Sequence, residues 1–236
     1  MVLSDIHGRL ECLRDIEEEV RRTDGIILAG DLTQKGKGTA LAELAGGIRR
    51  PGLEVVGVLG NLDLPLLAKE MEVLGIFNLE ASGKLVRGIA FSGVGGSNPT
   101  PFFTPYERKE EEIKSALLKG AEKLGGARPW VVVSHPPPFD SGLDKTLFGF
   151  KAGSRALREF LLESAPDVCV CGHIHEAPGT ARLGPTLIVN PGPFQSGRYA
   201  ILAYENEQWH AELKSATTNK KKEPHQSLQD LDKSQA

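Results

Sequence analysis

The sequence predicts an α/β fold in which two packed mixed β-sheets are flanked by helices. In the first half of the 236-residue chain, apolar runs of strand length alternate with segments of helical periodicity, which is typical of a layered α/β domain. In the second half, strand-like segments are separated by short turns, which favours a second, partly antiparallel sheet packed on the first. These later segments are residues 84–94, 186–190, 199–204 and 208–213.

Helices are predicted where apolar residues recur every three or four positions. The first follows the N-terminal strand, where Leu10, Leu13, Ile16 and Val20 have this spacing with Glu and Arg between them. Ser154 suits the N-cap of the last helix, and acidic residues crowd the first turns of the fourth, where the helix dipole favours them. After the first helix, the predicted helices are residues 39–48, 64–74, 106–124 and 154–162.

The chain is expected to form one domain, residues 1–213, followed by a polar and disordered tail, residues 214–236. Only Met1-Val2-Leu3 precede the first polar turn, so we expect the chain to begin inside what was once a longer strand. The formal net charge of −3 gives no reason to expect broad attraction to nucleic acid or to an anionic membrane.

Localisation is predicted to be cytoplasmic. No apolar stretch approaches the roughly 20 residues that span a bilayer, and the N-terminus lacks the basic start and long apolar region of a secretory signal. The three cysteines, an odd number without zinc-finger spacing, favour a reducing compartment over a disulfide framework. We therefore expect no membrane partner.

Polar residues that could ligate a metal follow five apolar, strand-like runs, which are residues 2–3, 26–29, 55–59, 131–133 and 168–171. In a parallel sheet, ligands bind just beyond the carboxyl ends of the strands. Each short motif is common by chance, but five in this order are hard to explain as coincidence. The candidate metal ligands are Asp5, His7, Asp31, Asn61, His135, His173 and His175.

These residue types suit a pair of divalent cations. Two such ions about 3.5–4 Å apart can stabilise both the attacking and the leaving oxygen of a phosphoryl group. The pair needs a carboxylate that bridges both ions, and Asp31, which follows a central strand, is the natural candidate. Aspartate, asparagine and histidine ligands suit Mn, Fe, Zn, Co or Ni, and Mn is our first choice.

The order Asp-x-His, Gly-Asp, Gly-Asn-x-Asp, His, Gly-His-x-His resembles that of the calcineurin-like metallophosphoesterase superfamily over about residues 1–205. The resemblance implies two packed sheets with a dinuclear centre at their rim, where a metal-bridging water or hydroxide attacks phosphorus in line. It implies catalytic roles for Asp31, Asn61, His135 and His175. One metal would take Asp5, His7, Asp31 and His175, and the other Asp31, Asn61, His135 and His173.

Leu62 departs from this resemblance, because related proteins have Gly-Asn-His-Asp where this chain has Gly-Asn-Leu-Asp. That histidine is implied to protonate the leaving group or to orient the phosphate, and a leucine can do neither. Losing a positioned general acid costs on the order of 10²–10⁴ in rate, most of all for poor leaving groups. Asp63 loses its usual imidazole neighbour and is expected to be a turn or cap residue.

The predicted activity is a metal-dependent phosphohydrolase on small phosphorylated substrates. A phosphodiesterase is favoured over a monoesterase, because the Asn190-Pro191-Gly192 turn looks like that of small prokaryotic phosphodiesterases. Asn98, in a proline-rich loop, and Arg198 are candidate phosphate contacts, together with Asn61. The alternative is a scaffold that kept the fold while its chemistry decayed, which Leu62 favours. A DNA-repair nuclease is disfavoured by the lack of excess basic residues, so nucleic acid is expected only as a small nucleotide.

Overall fold

The computed structural model describes residues 1–36 and 39–216, and their backbone forms two six-stranded β-sheets. In the first sheet, the spatial order is β12-β11-β1-β2-β3-β4. The strands β1 to β4 are mutually parallel, and β11 runs antiparallel to β1. The bounds of these strands are β1 Val2–Leu3, β2 Gly25–Ala29, β3 Glu54–Val58, β4 Ile76–Asn78, β11 Arg198–Glu205 and β12 Gln208–Ser215.

The second sheet has the order β5-β6-β7-β8-β10-β9 and is also mixed. Its central strands β6, β7, β8 and β10 are parallel, whereas the edge strands β5 and β9 pair antiparallel with their neighbours. The fold class expected from the sequence is confirmed. The bounds are β5 Gly83–Val86, β6 Ile89–Val94, β7 Trp130–Ser134, β8 Val168–Val170, β9 Gly179–Leu183 and β10 Thr186–Asn190.

The helices cover the outer faces of the two sheets. The apolar sides of α1, α2 and α3 pack with Leu3 and Leu28 of the first sheet, and those of α4 and α5 pack with Val132 and Cys169 of the second. The helices are α1 Glu17–Arg22, α2 Ala40–Ile48, α3 Leu67–Val73, α4 Glu110–Leu124 and α5 Arg155–Ser164, with 3₁₀ helices at Glu11–Ile16 and Phe194–Ser196.

A third apolar layer joins the inner faces of the sheets. Successive strand residues point to opposite faces, so Leu28 faces the helices while Ile27 and Ala29 face the second sheet. They meet Val131 and Val133 of β7, which leaves the central strands buried on both sides. This double burial explains why those strands have continuous apolar sequences.

Several sequence expectations need correction. The five strands that precede the candidate ligands do not share one sheet, because β1, β2 and β3 lie in the first sheet and β7 and β8 in the second. The segments 199–204 and 208–213, expected in the second sheet, form β11 and β12 of the first. The segment 84–94 is a hairpin of β5 and β6, and the expected helix beginning at residue 10 starts as a 3₁₀ helix.

The helix ends agree more closely with the sequence. Ser154 caps α5 as expected, since its hydroxyl oxygen accepts a hydrogen bond from the backbone N–H of Leu157 at 3.1 Å. The acidic first turn of α4 is present, and it begins at Glu110 and not at Tyr106. Strand β12 continues to Ser215, two residues into the segment expected to be a tail. Of that predicted tail, residues 217–236 lie outside the described residues.

Candidate metal centre

The seven candidate ligands meet at one rim of the molecule. They lie just after the carboxyl ends of five strands, β1, β2 and β3 of the first sheet and β7 and β8 of the second. The two sheets face each other with these ends on the same side, so each sheet contributes ligands. The candidate ligands therefore meet at a rim, as predicted. The prediction assumed a single parallel sheet, and that assumption was wrong.

One group of side chains gathers around His175. The Nε2 atom of His175 lies 3.1 Å from Oδ1 of Asp5 and 3.4 Å from Nε2 of His7. One donor atom from each of these three residues lies within 4.8 Å of the others. Two imidazole nitrogens and a carboxylate oxygen that converge in this way form an N/O donor set suited to a divalent transition metal.

A second group is formed by Asp5, Asp31 and His135, whose donor atoms also lie within 4.8 Å of one another. Nε2 of His135 is 2.9 Å from Oδ1 of Asn61 and 3.5 Å from Oδ1 of Asp31. The ring of His173 lies edge-on to the ring of His135, with 5.0 Å between their centroids. His173 is thus beside this group, on the side expected from the sequence.

Asp31 lies between the two groups. Its Oδ2 atom is 3.9 Å from Nε2 of His7, and its Oδ1 atom is 3.5 Å from Nε2 of His135. One oxygen therefore faces each group, which is the arrangement that a bridging carboxylate requires. Asp5 belongs to both groups as well, which the sequence did not indicate.

The backbone of the site is strained at four of the seven candidate ligands. Asp5, His7, Asp31 and His173 have φ angles of 53°, 50°, 50° and 68°, in the left-handed region that residues other than glycine seldom adopt. Such conformations cost of order 1–3 kcal/mol each and persist where the surroundings impose them, typically at functional sites. Their concentration among the candidate ligands points to a functional site.

Two glycines allow the ligand loops to approach one another. A Cβ atom on Gly60 would lie 2.1 Å from Oδ1 of Asp31, and one on Gly172 would lie 1.8 Å from Oγ of Ser4. Any larger residue at either position would collide with atoms that hold a candidate ligand.

Hydrogen bonds outside the groups orient the ligands. Nδ1 of His135 donates to the carbonyl oxygen of Ala29 at 2.9 Å, which directs Nε2 toward Asp31. The Ser4 hydroxyl donates to Oδ2 of Asp5 at 2.7 Å, and the backbone N–H of His173 donates to both Asp5 oxygens. Asp5 thereby connects the β1 loop of one sheet to the β8 loop of the other.

The buried charges of the site shift the pKa values of its histidines and carboxylates in different directions. Burial lowers the pKa of His173 to about 4, which keeps this imidazole neutral at pH 7. Burial alone would raise the pKa of Asp5, but the hydrogen bond from His175 and the nearby His135 hold it well below its usual range. At His135, burial is outweighed by the Asp31 carboxylate, which raises the pKa to about 9, so ligation there would release a proton.

Asp63 has a structural role that the sequence predicted only in part. Its Oδ1 atom accepts hydrogen bonds from the backbone N–H and the hydroxyl of Thr33, and its Oδ2 atom accepts from the backbone N–H groups of Leu32 and Gly60. Burial and the neighbouring Asp31 raise its pKa to about 6. The carboxylate fastens the Asp31 loop to the Asn61 loop, so it is more than the turn residue that we expected.

Asn190 is a second positioning residue that sequence reasoning did not assign. Its buried side-chain amide donates to the carbonyl oxygens of Ile174 and Ala177, both at 3.0 Å, and its Oδ1 accepts from the N–H of Gly192. It therefore holds the loop that carries His173 and His175. The Asn-Pro-Gly motif was a visible signal, but the sequence related it to a phosphodiesterase branch and not to this loop.

The candidate substrate contacts lie at the edge of the site. The side-chain amide of Asn98 donates to the carbonyl oxygen of Ala152 at 3.2 Å, which is a contact between two loops. Arg198 is exposed and lies against Gly192. Leu62 is partly exposed, and its backbone N–H donates to Oδ1 of Asp31 at 2.8 Å, so its side chain begins next to the candidate metals.

Comparison with known families fits this geometry, because the profile described as calcineurin-like phosphoesterase matches residues 1–177. The chain belongs to the calcineurin-like phosphoesterase family. Its seven candidate ligands all lie inside the matched region, in the order that the resemblance implied. The chain is accordingly a metal-dependent phosphoesterase by family, and two divalent ions are implied by membership.

Individual proteins are similar to this chain in sequence or in fold. An uncharacterized protein of Methanocaldococcus jannaschii is 33% identical over 199 residues, which cover 81% of this chain and 86% of that protein. A Thermus thermophilus crystal structure superposes with a TM-score of 0.70 at 20% identity, covering 89% of this chain and 96% of that one. A dimetal phosphatase from Danio rerio has a TM-score of 0.60 at 12% identity, with 91% and 95% covered.

Proposed function

We propose that this phosphoesterase is a two-metal phosphodiesterase, most active on substrates with good leaving groups. The observation that carries the proposal is Asp31, whose two oxygens face two separate groups of nitrogen and oxygen ligands. Asp31 would hold one ion together with Asp5, His7 and His175. It would share the other ion with Asn61, His135 and His173. The bound pair would supply activation of water and charge neutralisation at phosphorus.

The chain's own residues prepare the site for this chemistry. Asn61 donates its amide to Oγ1 of Thr104 at 3.0 Å, which turns its Oδ1 toward His135 and the candidate metals. The imidazole of His175 is 36% exposed, whereas Asp5 and Asp31 are almost fully buried, so a substrate approaches from the side of His175. Exposed Arg198, beside the Asn190 turn, would attract the phosphate.

The identity of Leu62 determines the substrate preference. Aryl esters, phosphoanhydrides and activated diesters leave as weak bases and need little help from a general acid. An alkyl phosphate monoester needs a proton on its leaving oxygen, and the side chain of Leu62 cannot donate one. A small phosphorylated substrate of the first type, Mn as the preferred metal and a cytoplasmic location complete the proposal.

The proposal is tested by hydrolysis of bis-p-nitrophenyl phosphate and p-nitrophenyl phosphate by metal-stripped protein after addition of Mn, Ni, Co, Zn or Mg. We expect Mn to restore the greatest activity and the diester to be cleaved faster. Metal content is measured on the same samples. Two tightly bound ions without cleavage of either ester would instead support the scaffold alternative that Leu62 favours.

We expect Leu62→His to raise the turnover of alkyl monoesters more than that of p-nitrophenyl phosphate or of the activated diester, because only the alkyl leaving group needs a proton. A placed imidazole contributes on the order of 10²–10⁴ in rate. The lower end applies here, because both oxygens of Asp63 are occupied by the four donors described above and cannot orient the new ring. Leu62→Gln, which is polar but transfers no proton, is the control. Equal gains for all esters would contradict the leaving-group argument.

A further inference from the structure

Five large apolar side chains project from two loops beside the metal centre. Phe102 and Phe103 are 80% and 90% exposed, and Leu147, Phe148 and Phe150 are 76%, 83% and 72% exposed. Single exposed apolar residues are ordinary, but a group of large ones marks an interaction surface. We call these five side chains the apolar rim.

Both loops belong to the edge of the protein that carries the candidate metal ligands. One loop follows β6 and the other follows β7, and these neighbouring strands run parallel, so their loops leave the same end of the sheet. The contact between Asn98 and the carbonyl oxygen of Ala152 joins the loops. Thr104 connects the first loop to Asn61 through its hydroxyl. The apolar rim therefore flanks the metal centre.

The backbone holds the second loop in a conformation that exposes its apolar residues. Lys145 and Lys151 pair across an antiparallel bridge, and the N–H of Thr146 donates to the carbonyl oxygen of Phe150 at 2.9 Å. The N–H of Gly149 donates back to Thr146 at 2.8 Å, which closes a turn with Leu147 and Phe148 at its centre. A tight turn of this kind keeps its central side chains away from the protein core.

Cationic groups stand on both arms of this turn. Lys145 and Lys151 are exposed at the two ends of the apolar segment, and the ammonium of Lys151 lies 5.8 Å from the centroid of the Phe139 ring, which the guanidinium of Arg155 approaches to 4.0 Å. Lys151 also pairs with Asp140. Among the described residues, Lys145 forms no ion pair. Although the whole chain has a net negative charge, this turn has an apolar tip between two lysines.

This pattern fits a lipid surface better than a protein partner. Proteins that lie on membranes insert apolar side chains at the boundary between headgroups and acyl chains, while lysines beside them contact anionic headgroups. Protruding tips enter a deformable bilayer without a matching pocket, whereas a folded partner would have to supply one for each tip. The expectation of no membrane partner rested on the lack of a spanning segment and on the net charge of −3, and neither describes the local charge around the apolar rim. Among the described residues, no helix is long and apolar enough to cross a bilayer, which leaves surface attachment open.

We propose that the apolar rim docks on an anionic lipid bilayer and brings the metal centre against the headgroup layer. Phosphoesters or phosphoanhydrides with good leaving groups that are presented at that surface are then the substrates, and this part of the proposal rests on the proposed function. Docking on the bilayer does not depend on the proposed function, because neither the apolar rim nor its lysines are candidate metal ligands.

The test is co-sedimentation of the full chain with vesicles of phosphatidylcholine alone or mixed with phosphatidylglycerol. We expect binding to the mixed vesicles that weakens as salt is added. The double substitution Leu147→Ser with Phe148→Ser should lower the bound fraction by about tenfold or more. Lys145→Gln should weaken binding to anionic vesicles specifically. Val73→Ser, at another exposed apolar residue (85%), is the matched control and should bind like the wild type.

Three results would overturn the proposal: no vesicle binding by the wild type, an equal loss in Val73→Ser, or self-association of the wild type that the double substitution abolishes. The last would assign the apolar rim to a second copy of the chain. Hydrolysis of a water-soluble ester is measured in parallel and should be unchanged by the double substitution. A wild type that binds vesicles but cleaves no ester would refute the proposed function and leave docking intact.

Discussion

Asp31→Asn is expected to abolish binding of the metal pair and hydrolysis together. The carboxylate has one oxygen 3.9 Å from Nε2 of His7 and the other 3.5 Å from Nε2 of His135. An amide offers one oxygen and one NH₂ group, so it can face an ion on one side only and presents donors to the other. Isothermal titration of Mn into metal-stripped protein should give at most one ion per chain, against two for the wild type.

The size of the activity loss follows from the same geometry. With one ion missing, either the attacking or the leaving oxygen loses its charge stabilisation, and the loss of such a group costs about 10²–10³ in rate or more. Asp167→Asn is the control. The Asp167 carboxylate accepts a hydrogen bond from the backbone N–H of Trp130, which lies at the end of β7 away from the candidate ligands. The substitution should alter stability without changing metal stoichiometry. Two ions bound by Asp31→Asn with wild-type affinity would show that Asp31 is not the bridge.

The sequence predicted which candidate ligands lie together better than it predicted which sheet each strand joins. Each candidate ligand follows a buried strand directly, and both the apolar run and the polar motif are local features of the sequence. Which sheet a strand joins is not local. The segments of β2 and β7 are alike in composition and both are buried on two faces, so nothing in either run indicates that they belong to different sheets.

The missed elements are those whose sequences lack a clear periodic signal. The edge strand β9 contains Gly179, Thr180 and Arg182 and is partly exposed, so no apolar run marks it. The strand β4 has three residues, which is shorter than the window that a periodic pattern needs. Strands β11 and β12 were not missed but were expected in the second sheet, whereas the pairing of Ala200 with Val2 attaches them to the first.

Backbone strain and positioning contacts could not be predicted from the sequence either, because they depend on contacts between segments that are distant in the chain. The left-handed φ angles of Asp5, His7 and Asp31 occur in two loops joined by backbone hydrogen bonds, such as that from the N–H of His7 to the carbonyl oxygen of Asp31, and no single segment encodes such contacts. The motif Gly-Asn-Leu-Asp made Asp63 visible, but its partners Leu32 and Thr33 are about thirty positions away in the chain. Its role becomes apparent once the two loops are seen side by side.

Asp63→Asn is expected to weaken metal binding although Asp63 contacts no candidate metal position directly. Four donors, from Gly60, Leu32 and Thr33, converge on its two oxygens. The amide would accept on one oxygen and turn its NH₂ group toward the remaining donors. Loss of such an outer contact commonly lowers metal affinity by about 10–100-fold. Titration of Mn into metal-stripped protein, as for Asp31→Asn, measures the change.

Measurement of the free energy of unfolding distinguishes this positioning role from direct metal ligation. The buried donors left without an acceptor should lower the free energy of unfolding of Asp63→Asn by about 1–3 kcal/mol each, measured by denaturant unfolding with a chelator present. Thr33→Val removes the hydroxyl, which donates to Asp63 and accepts from the backbone N–H of Gly36, and should cost about 1–3 kcal/mol with a small change in affinity. A direct ligand would instead change stoichiometry. If Asp63→Asn bound two Mn ions with wild-type affinity, the two loops would be held together by their other contacts, among them the bond from Leu62 to Asp31.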